Sequence, residues 1–422
     1  MNEPSSTDTT TTFPAPNTYM RRQPASVFLS HWRGNAAVIS LLQRELQLRG
    51  VRAWRDTTNL EYGEEFKDAL RRAIRDEVSA FIAYVTPDFL TRAIIWDVEV
   101  PEALNRHGTD PHFQIIPLFS GVAPAELTAK CASLGLKDLS DFNGEFVPRR
   151  GQAKRAAVIK TVAARTLRSA LRPRLMADNV YEPRVLLRAE AHTAAEPGVD
   201  LDLDWTEPFI PGCPSPEAWA TDLMPSLRDI RDVLSANSRR LLHVEVQARL
   251  PAAIAFGEVF NSVAKYTLTV SGRNGAWSTA SPHRSVPVLR REDITAPGND
   301  RATGLVEVSI SRAIGRSVEA HAAGLDVVPG HAVRLVPVDG PGLRAVEDAS
   351  WAITAAWQVG ECMRALHDEQ GAQHIHLYVA APAEWCVLLG HTLNATGRIT
   401  VHQMHPVTRE YVRACTLGAT GT

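Results

Sequence analysis

What this chain has little of narrows it first. Its 422 residues contain no apolar run approaching the roughly 20 residues that cross a bilayer, so no membrane-spanning helix and no membrane partner are expected. The five cysteines, Cys131, Cys213, Cys362, Cys386 and Cys415, are odd in number, scattered and never at CxxC spacing. That argues against a disulfide framework and a structural zinc site, and for a reducing cytoplasm. Excess positive charge is missing too. With a formal net charge of −2 the chain lacks the basic surplus of proteins that track long nucleic acids, while a few arginines and a helix N-terminus still suffice for a small anion. The opening residues carry no basic start followed by an apolar core, so no secretory signal is expected. Their Thr, Pro and Ser content predicts a disordered tail over residues 1–24.

What is there exceeds one hydrophobic core. From residue 25 a short apolar run, Ala25–Ser30, ends in the polar loop His31-Trp32-Arg33-Gly34-Asn35. Val38, Leu41, Leu42 and Leu46 then recur at helical spacing until Gly50. A second strand covers Val51–Asp56. Phe66, Leu70, Ile74 and Val78 mark another helix, and Ala80–Thr86 reads as a strand buried on both faces. Ile115–Phe119 is a further strand, followed by a basic amphipathic helix over Gln152–Leu171 whose charges read as a solvated face. Strands alternating with helices predict an α/β unit with a parallel sheet and function at the strands' carboxyl ends. The stretch 173–182, between Pro173 and Pro183, reads as a linker.

Residues 25–172 resemble a TIR domain. The matching pieces, in the family's order, are Phe28-Leu29-Ser30 with its polar loop; the strand ending at Asp56, with Leu60 and Gly63 after it; the strand running into Thr86-Pro87; Trp96 with an acidic helix behind it; and Ile115-Ile116-Pro117. The resemblance implies a flavodoxin-like sheet with helices on both faces. In the enzymatic members it also implies cleavage of NAD to nicotinamide and ADP-ribose by a glutamate behind a tryptophan. The family spacing is four and here Trp96 precedes Glu99 by three, with Pro101 placed to shift the register. Glu99 is the expected catalytic acid and Glu102 the alternative. One carboxylate suffices for such chemistry, because nicotinamide leaves as a neutral base and only the oxocarbenium-like ribose needs stabilising. Trp32 and Trp54, at strand ends, are candidates to stack on a nicotinamide or adenine ring, and Arg33 to face the pyrophosphate. Asp56 reads as a structural cap.

The rest of the chain holds an internal repeat. His243-Val244-Glu245-Val246 and His374-Ile375-His376-Leu377 each open a strand, and Pro251-Ala252 and Pro382-Ala383 each follow eight residues after the histidine. Each unit continues into an apolar helix containing a glycine, Gly257 or Gly390, and then a further strand. Proline suits a helix start, so each unit presents free backbone N–H groups at a sheet edge, and two units would form one cleft with two anion-binding lips.

Residues 183–420 resemble the SAVED domain, two fused CARF-like Rossmann-type halves, here near 240–311 and 333–405. Leu201–Trp205, the strand Leu305–Ser311 and the helix Ala345–Leu366 support this. The resemblance implies a cyclic-oligonucleotide ligand, with cyclic tri-adenylate the first expectation. It also implies head-to-tail assembly into a homo-oligomer that completes the NAD sites, as in CBASS anti-phage effectors. NAD is then a substrate, the cyclic oligoadenylate an activator, and no cofactor is required. Ligand candidates on the loops after matched strands are Pro251, Ser309, Ser311, Arg312, Pro382 and Ala383, with Trp277 and Trp385 as base-stacking rings. Eight of the fourteen histidines fall in 321–405, yet no third ligand stands at a telling spacing, so no metal is expected. Two other readings stay open. One is a non-catalytic TIR scaffold controlled by the nucleotide, and the other a SAVED domain that cleaves its own ligand.

Overall fold

The computed structural model describes residues 24–55, 65–177, 181–189, 198–210, 212–272 and 275–418. Residues 1–23 of the tail expected over 1–24, and the cap expected at Asp56, lie outside them. Three sheets follow one another along the chain. The first contains β1 (Ser26–Ser30), β2 (Arg52–Trp54), β3 (Ala80–Val85), β4 (Gln114–Phe119) and β5 (Glu145–Phe146) in the order β2-β1-β3-β4-β5, all parallel. Alternate strand residues feed two cores. Val27 and Leu29 face α1 (Ala36–Leu48), while Phe28, Phe81 and Val85 face α2 (Val100–Thr109) and its neighbours. Helix α3 (Gln152–Ala177) closes the first of these faces. It runs through Pro173, so the beginning of the stretch read as a linker is helix. Proline there forfeits one helical hydrogen bond, and Leu171 and Leu175, buried on either side, hold the turn in place.

The second sheet contains β6 (Arg184–Arg188), β7 (Leu201–Asp204), β8 (Leu241–Gln247), β9 (Thr267–Gly272) and β10 (Gly275–Ser278), ordered β10-β9-β8-β6-β7. The third contains β11 (Leu289–Asp293), β12 (Asp300–Ser309), β13 (Pro329–Pro337), β14 (His374–Ala380), β15 (Arg398–Met404) and β16 (Tyr411–Leu417), ordered β11-β13-β12-β14-β15-β16. Each has a parallel centre with an antiparallel strand on at least one edge. The two halves are therefore Rossmann-type, but their boundary differs from the expectation. The stretch Leu305–Ser309 pairs with β13 and β14 inside the third sheet, so it belongs to the second half.

The duplicated units become β8 followed by α5 (Leu250–Val259), and β14 followed by α7 (Ala383–Thr392); α4 (Met224–Ala236) and α6 (Ala349–Asp368) lie before them in chain order. Helices α5 and α7 cross at their glycines, with a Cβ built on Gly257 coming 3.0 Å from the Gly390 Cα. Those two glycines lie where the two Rossmann-type halves meet.

Strand β7, at the edge of the second sheet, is sewn to the first domain. Ala25 N–H donates to the Asp200 carbonyl (2.7 Å), Asp202 N–H to the Gly50 carbonyl (3.0 Å), and Trp205 Nε1 to the Leu48 carbonyl (3.0 Å). Gly50 has φ +77°, and a Cβ there would lie 2.8 Å from that of Leu201, so glycine permits both the turn and the close approach. Beside it, buried Arg49 joins Glu45 (2.9 Å) to Asp229 on α4 (2.8 Å). Arg49→Ala leaves the buried Glu45 carboxylate with only Arg44 at 3.4 Å. Stranding half of a buried pair costs about 3 kcal/mol, so the urea midpoint should fall accordingly. An unchanged midpoint would show that this bridge does not hold the junction.

Candidate catalytic and ligand-binding sites

In the first sheet the chain runs from β1 to β2 on one side and then crosses from β2 to β3 on the other side of β1, and the carboxyl ends of β1 and β3 flank that reversal. Glu99 arrives there on a π-helical turn, Ile95–Glu99, just before α2. Pro101 explains the turn. It has no N–H to offer the preceding turn, and Val100 N–H instead reaches back five residues to Ile95. The same pattern recurs where Pro225 follows the π turn Trp219–Leu223. Glu99 is only 6% exposed, and its carboxylate accepts a hydrogen bond from the Ser30 hydroxyl at the end of β1. Glu102 is half-buried, and its charge is felt by Arg75 at the surface.

The loop after β1 is tied across the sheet edge by Asn35 Nδ2, which donates to Thr86 Oγ1 (3.2 Å). Trp32 is half-buried with the Arg92 guanidinium 5.4 Å from its ring centre, and Arg33 is exposed on the turn Arg33–Asn35. One face of the indole is thus already occupied by a cation. Trp54 corrects the expectation. Its ring is buried and stacked on Phe28 (4.8 Å between centres), which in turn stacks on Phe81, so it is core and not a substrate platform. Ser30, Thr86 and Arg92 carry the local geometry; the sequence named Ser30 and Thr86 only as pieces of the resemblance, and Arg92 not at all, because a strand-end serine or a lone arginine gives no periodic or spacing signal.

The second site is a cleft of about 820 Å³ between the two sensor halves. The start of α5 (Arg249, Leu250, Pro251) and the start of α7 (Pro382, Ala383, Glu384) both line it. Two helix N-termini, with their positive dipole ends, therefore serve one space. Ser311 and Arg312 line it, as do residues the sequence did not single out, Gln247, Arg249, Leu343, Arg344, His402, Gln403 and Tyr411, while Trp277 borders it with its ring buried in the core and not presented for stacking. Arg249, Arg312 and Arg344 give it three guanidinium groups. Leu343, 87% exposed, stands at its edge on a loop tied by Gly342 N–H to the Ile310 carbonyl (2.9 Å).

Two further expected ligand contacts are corrected. Ser309 is fully buried, donates to Glu307 (2.8 Å) and accepts from Ile314 N–H (3.2 Å), so it braces the strand end. Trp385 is also fully buried and donates to the Ala352 carbonyl (3.0 Å) on α6. One turn into α7 its ring points to the helical core. His243 and His374 meet Glu182 (2.6 Å) and Thr400 (2.8 Å). Among the described residues no group of three or more His, Cys, Asp or Glu is arranged to hold a metal ion.

Behind the cleft the histidines form a stack. His376 Nδ1 lies 2.8 Å from His402 Nε2, His402 stacks on Tyr378 (4.5 Å), and His321 Nδ1 lies 2.8 Å from the Tyr378 hydroxyl. Burial, with added repulsion from the neighbouring histidines and Arg413, pushes His376 down to about 4 and His402 to about 2, Arg398 adding to the effect on His376, while burial also raises Tyr378 and Tyr411. Above about pH 6.5 neither the folded nor the unfolded chain protonates these two rings. Between that and about pH 4 the unfolded chain binds protons that the folded one does not. Stability therefore falls as pH falls, by about 1.4 kcal/mol per unit for each ring. Denaturant melts across that window should show the loss, and His402→Phe should flatten it. A slope identical in the variant would place the titration elsewhere.

Family models match the chain in two places. Residues 27–148 match the TIR domain, and residues 226–417 match SAVED, the SMODS-associated sensor domain found fused to various effectors. Among solved structures, the Acinetobacter baumannii Cap4 SAVED/CARF-domain containing receptor with the cyclic trinucleotide 2'3'3'-cAAA is similar at 14% identity, covering 90% of this chain and 97% of that one with a TM-score of 0.48. The corresponding Moraxella osloensis receptor is similar at 14% identity over 90% and 98%, with a TM-score of 0.44. A comparison with curated proteins gives no match.

Proposed function

From the premise that this chain joins a TIR domain to a SAVED sensor domain, we propose that it is a defence effector that cleaves NAD when a cyclic oligonucleotide occupies the cleft. The observation that carries the reading is the convergence of two helix starts and three arginines on one space between duplicated halves. A ring of phosphates offers anionic oxygens to both lips at once. In the first domain, Glu99 is the acid that stabilises the oxocarbenium-like ribose as nicotinamide departs, and water takes its place to give ADP-ribose and a proton.

The closed state of Glu99 supports a switch. With its carboxylate engaged by Ser30 and Trp32 faced by Arg92, the single chain rests in a form that substrate must open. A ligand shifts such an equilibrium only if it favours the active state, and assembly of several chains on binding supplies that difference. Thermal unfolding with cyclic di-, tri- and tetra-adenylate tests the sensor half, since a specific ligand stabilises in proportion to its affinity. Nicotinamide release with the stabilising ring tests the enzyme. The buried Ser30–Glu99 pair also favours a second reading, in which Glu99 is structural and the TIR domain a scaffold. Stabilisation by a cyclic nucleotide without nicotinamide release would select it.

A further inference from the structure

The cleft carries one group that a ring of phosphates should repel. Glu384, in the first turn of α7, is the one acidic residue among those lining it, beside Arg249, Arg312 and Arg344. It is half-buried, and neither of its oxygens is sealed from solvent. Among the described residues no hydrogen bond or ion pair engages its carboxylate, and none of the three arginines is ion-paired. An acid in a helix's first turn is ordinarily explained by the helix dipole. The duplicated unit argues otherwise. With Pro251 matched to Pro382, the counterpart of Glu384 is the fully buried Ala253, and α5 begins with no acid in its first turn. This kind of helix start therefore needs no carboxylate, and only one lip of the cleft has one.

An ionised carboxylate only accepts hydrogen bonds, as do phosphate oxygens. Glu384 stands on the same turn as a helix N-terminus suited to phosphate, so what it meets in a bound ring must be a donor close to a phosphate. Covalent structure fixes that donor. Whichever of the two ribose hydroxyls carries the linkage, the other stays free on the neighbouring carbon, right beside the phosphate. Base amines lie farther off, across the sugar. Resting on the cleft as the cyclic-nucleotide site, we propose that Glu384 is its ribose-reading residue. Its carboxylate accepts from the free hydroxyl next to a phosphate held at the start of α7, while the arginines take the phosphate charge. A deoxyribose ring offers no such donor and sets the carboxylate against phosphate uncompensated, so the sensor is selective for ribonucleotide rings.

The test titrates the full chain calorimetrically with cyclic tri-adenylate and with the same ring built on deoxyribose. The di- and tetra-adenylate pairs take their place if the trinucleotide is refused. The deoxyribose ring should bind at least about tenfold more weakly, the usual scale for a hydrogen bond to a charged group. Glu384→Ala should weaken ribose-ring binding about tenfold while leaving deoxyribose-ring binding within about twofold or tightening it, so that the preference collapses. An acid that serves only the helix would weaken both rings alike, and that equal loss with the preference intact overturns the inference. Equal affinity of the unaltered protein for the two rings also overturns it and leaves the sensor reading standing. If no cyclic ring of two, three or four nucleotides binds, the sensor reading falls and takes this inference with it.

Discussion

Glu99→Gln should lower ligand-stimulated nicotinamide release by a factor of about 1000, the scale on which removing a single transition-state charge partner is felt. The substitution keeps the side chain's size and its hydrogen bond with Ser30, so it removes the negative charge and little else. Binding of the cyclic ligand, measured calorimetrically, and the unfolding midpoint should both be unchanged, because Glu99 belongs to the first sheet's domain and the cleft lies between the second and third sheets. Glu102→Gln should retain near-normal turnover, since Glu102 acts on Arg75 and has no part in the Ser30 contact. A fully active Glu99→Gln protein would remove Glu99 from the chemistry. Loss in Glu102→Gln alone would transfer the role to that residue.

Gly257→Ala should destabilise the protein by about 3 kcal/mol, although the same exchange at an exposed helical site gains about 1 kcal/mol. The sign reverses because of what the new methyl group meets. It would fall on the Val387 carbonyl oxygen and 2.8 Å from the His391 nitrogen, both backbone atoms of α7 that no rotamer can move aside. Gly390 stands in the reciprocal position against the Ile254 carbonyl oxygen and the Glu258 nitrogen. Relief requires α5 and α7 to separate. Because the starts of both helices line the cleft, affinity for the cyclic ligand should fall with stability. The double variant Gly257→Ala with Gly390→Ala should cost less than the two single effects added, since one separation accommodates both methyl groups. Additive costs, or a Gly257→Ala protein that binds normally, would mean the crossing does not set the width of the cleft.

The histidine stack illustrates what could not be read in advance. His374, His376 and His402 are visible in the sequence as a local enrichment, and their alternation puts His374 and His376 on one face of β14. That His402 from β15 lies against His376, and that His321 from a separate helix closes on Tyr378, depends on the pairing of β14 with β15 and on a chain reversal of more than fifty residues.

The order of strands and helices and the duplicated strand–proline–helix unit were set by local pattern: hydrophobic period, turn residues and spacing act over a few positions and survive in one dimension, while the acid behind Trp96 came only from the TIR resemblance. Only the tertiary structure decided that Trp54, Ser309 and Trp385 are packing residues, that Glu99 is closed by Ser30, and that Gly257 and Gly390 meet. The reason is physical. Which face of an element is buried, and which polar atom is left without a partner, depends on what another part of the chain brings against it, and no short-range pattern encodes that neighbour.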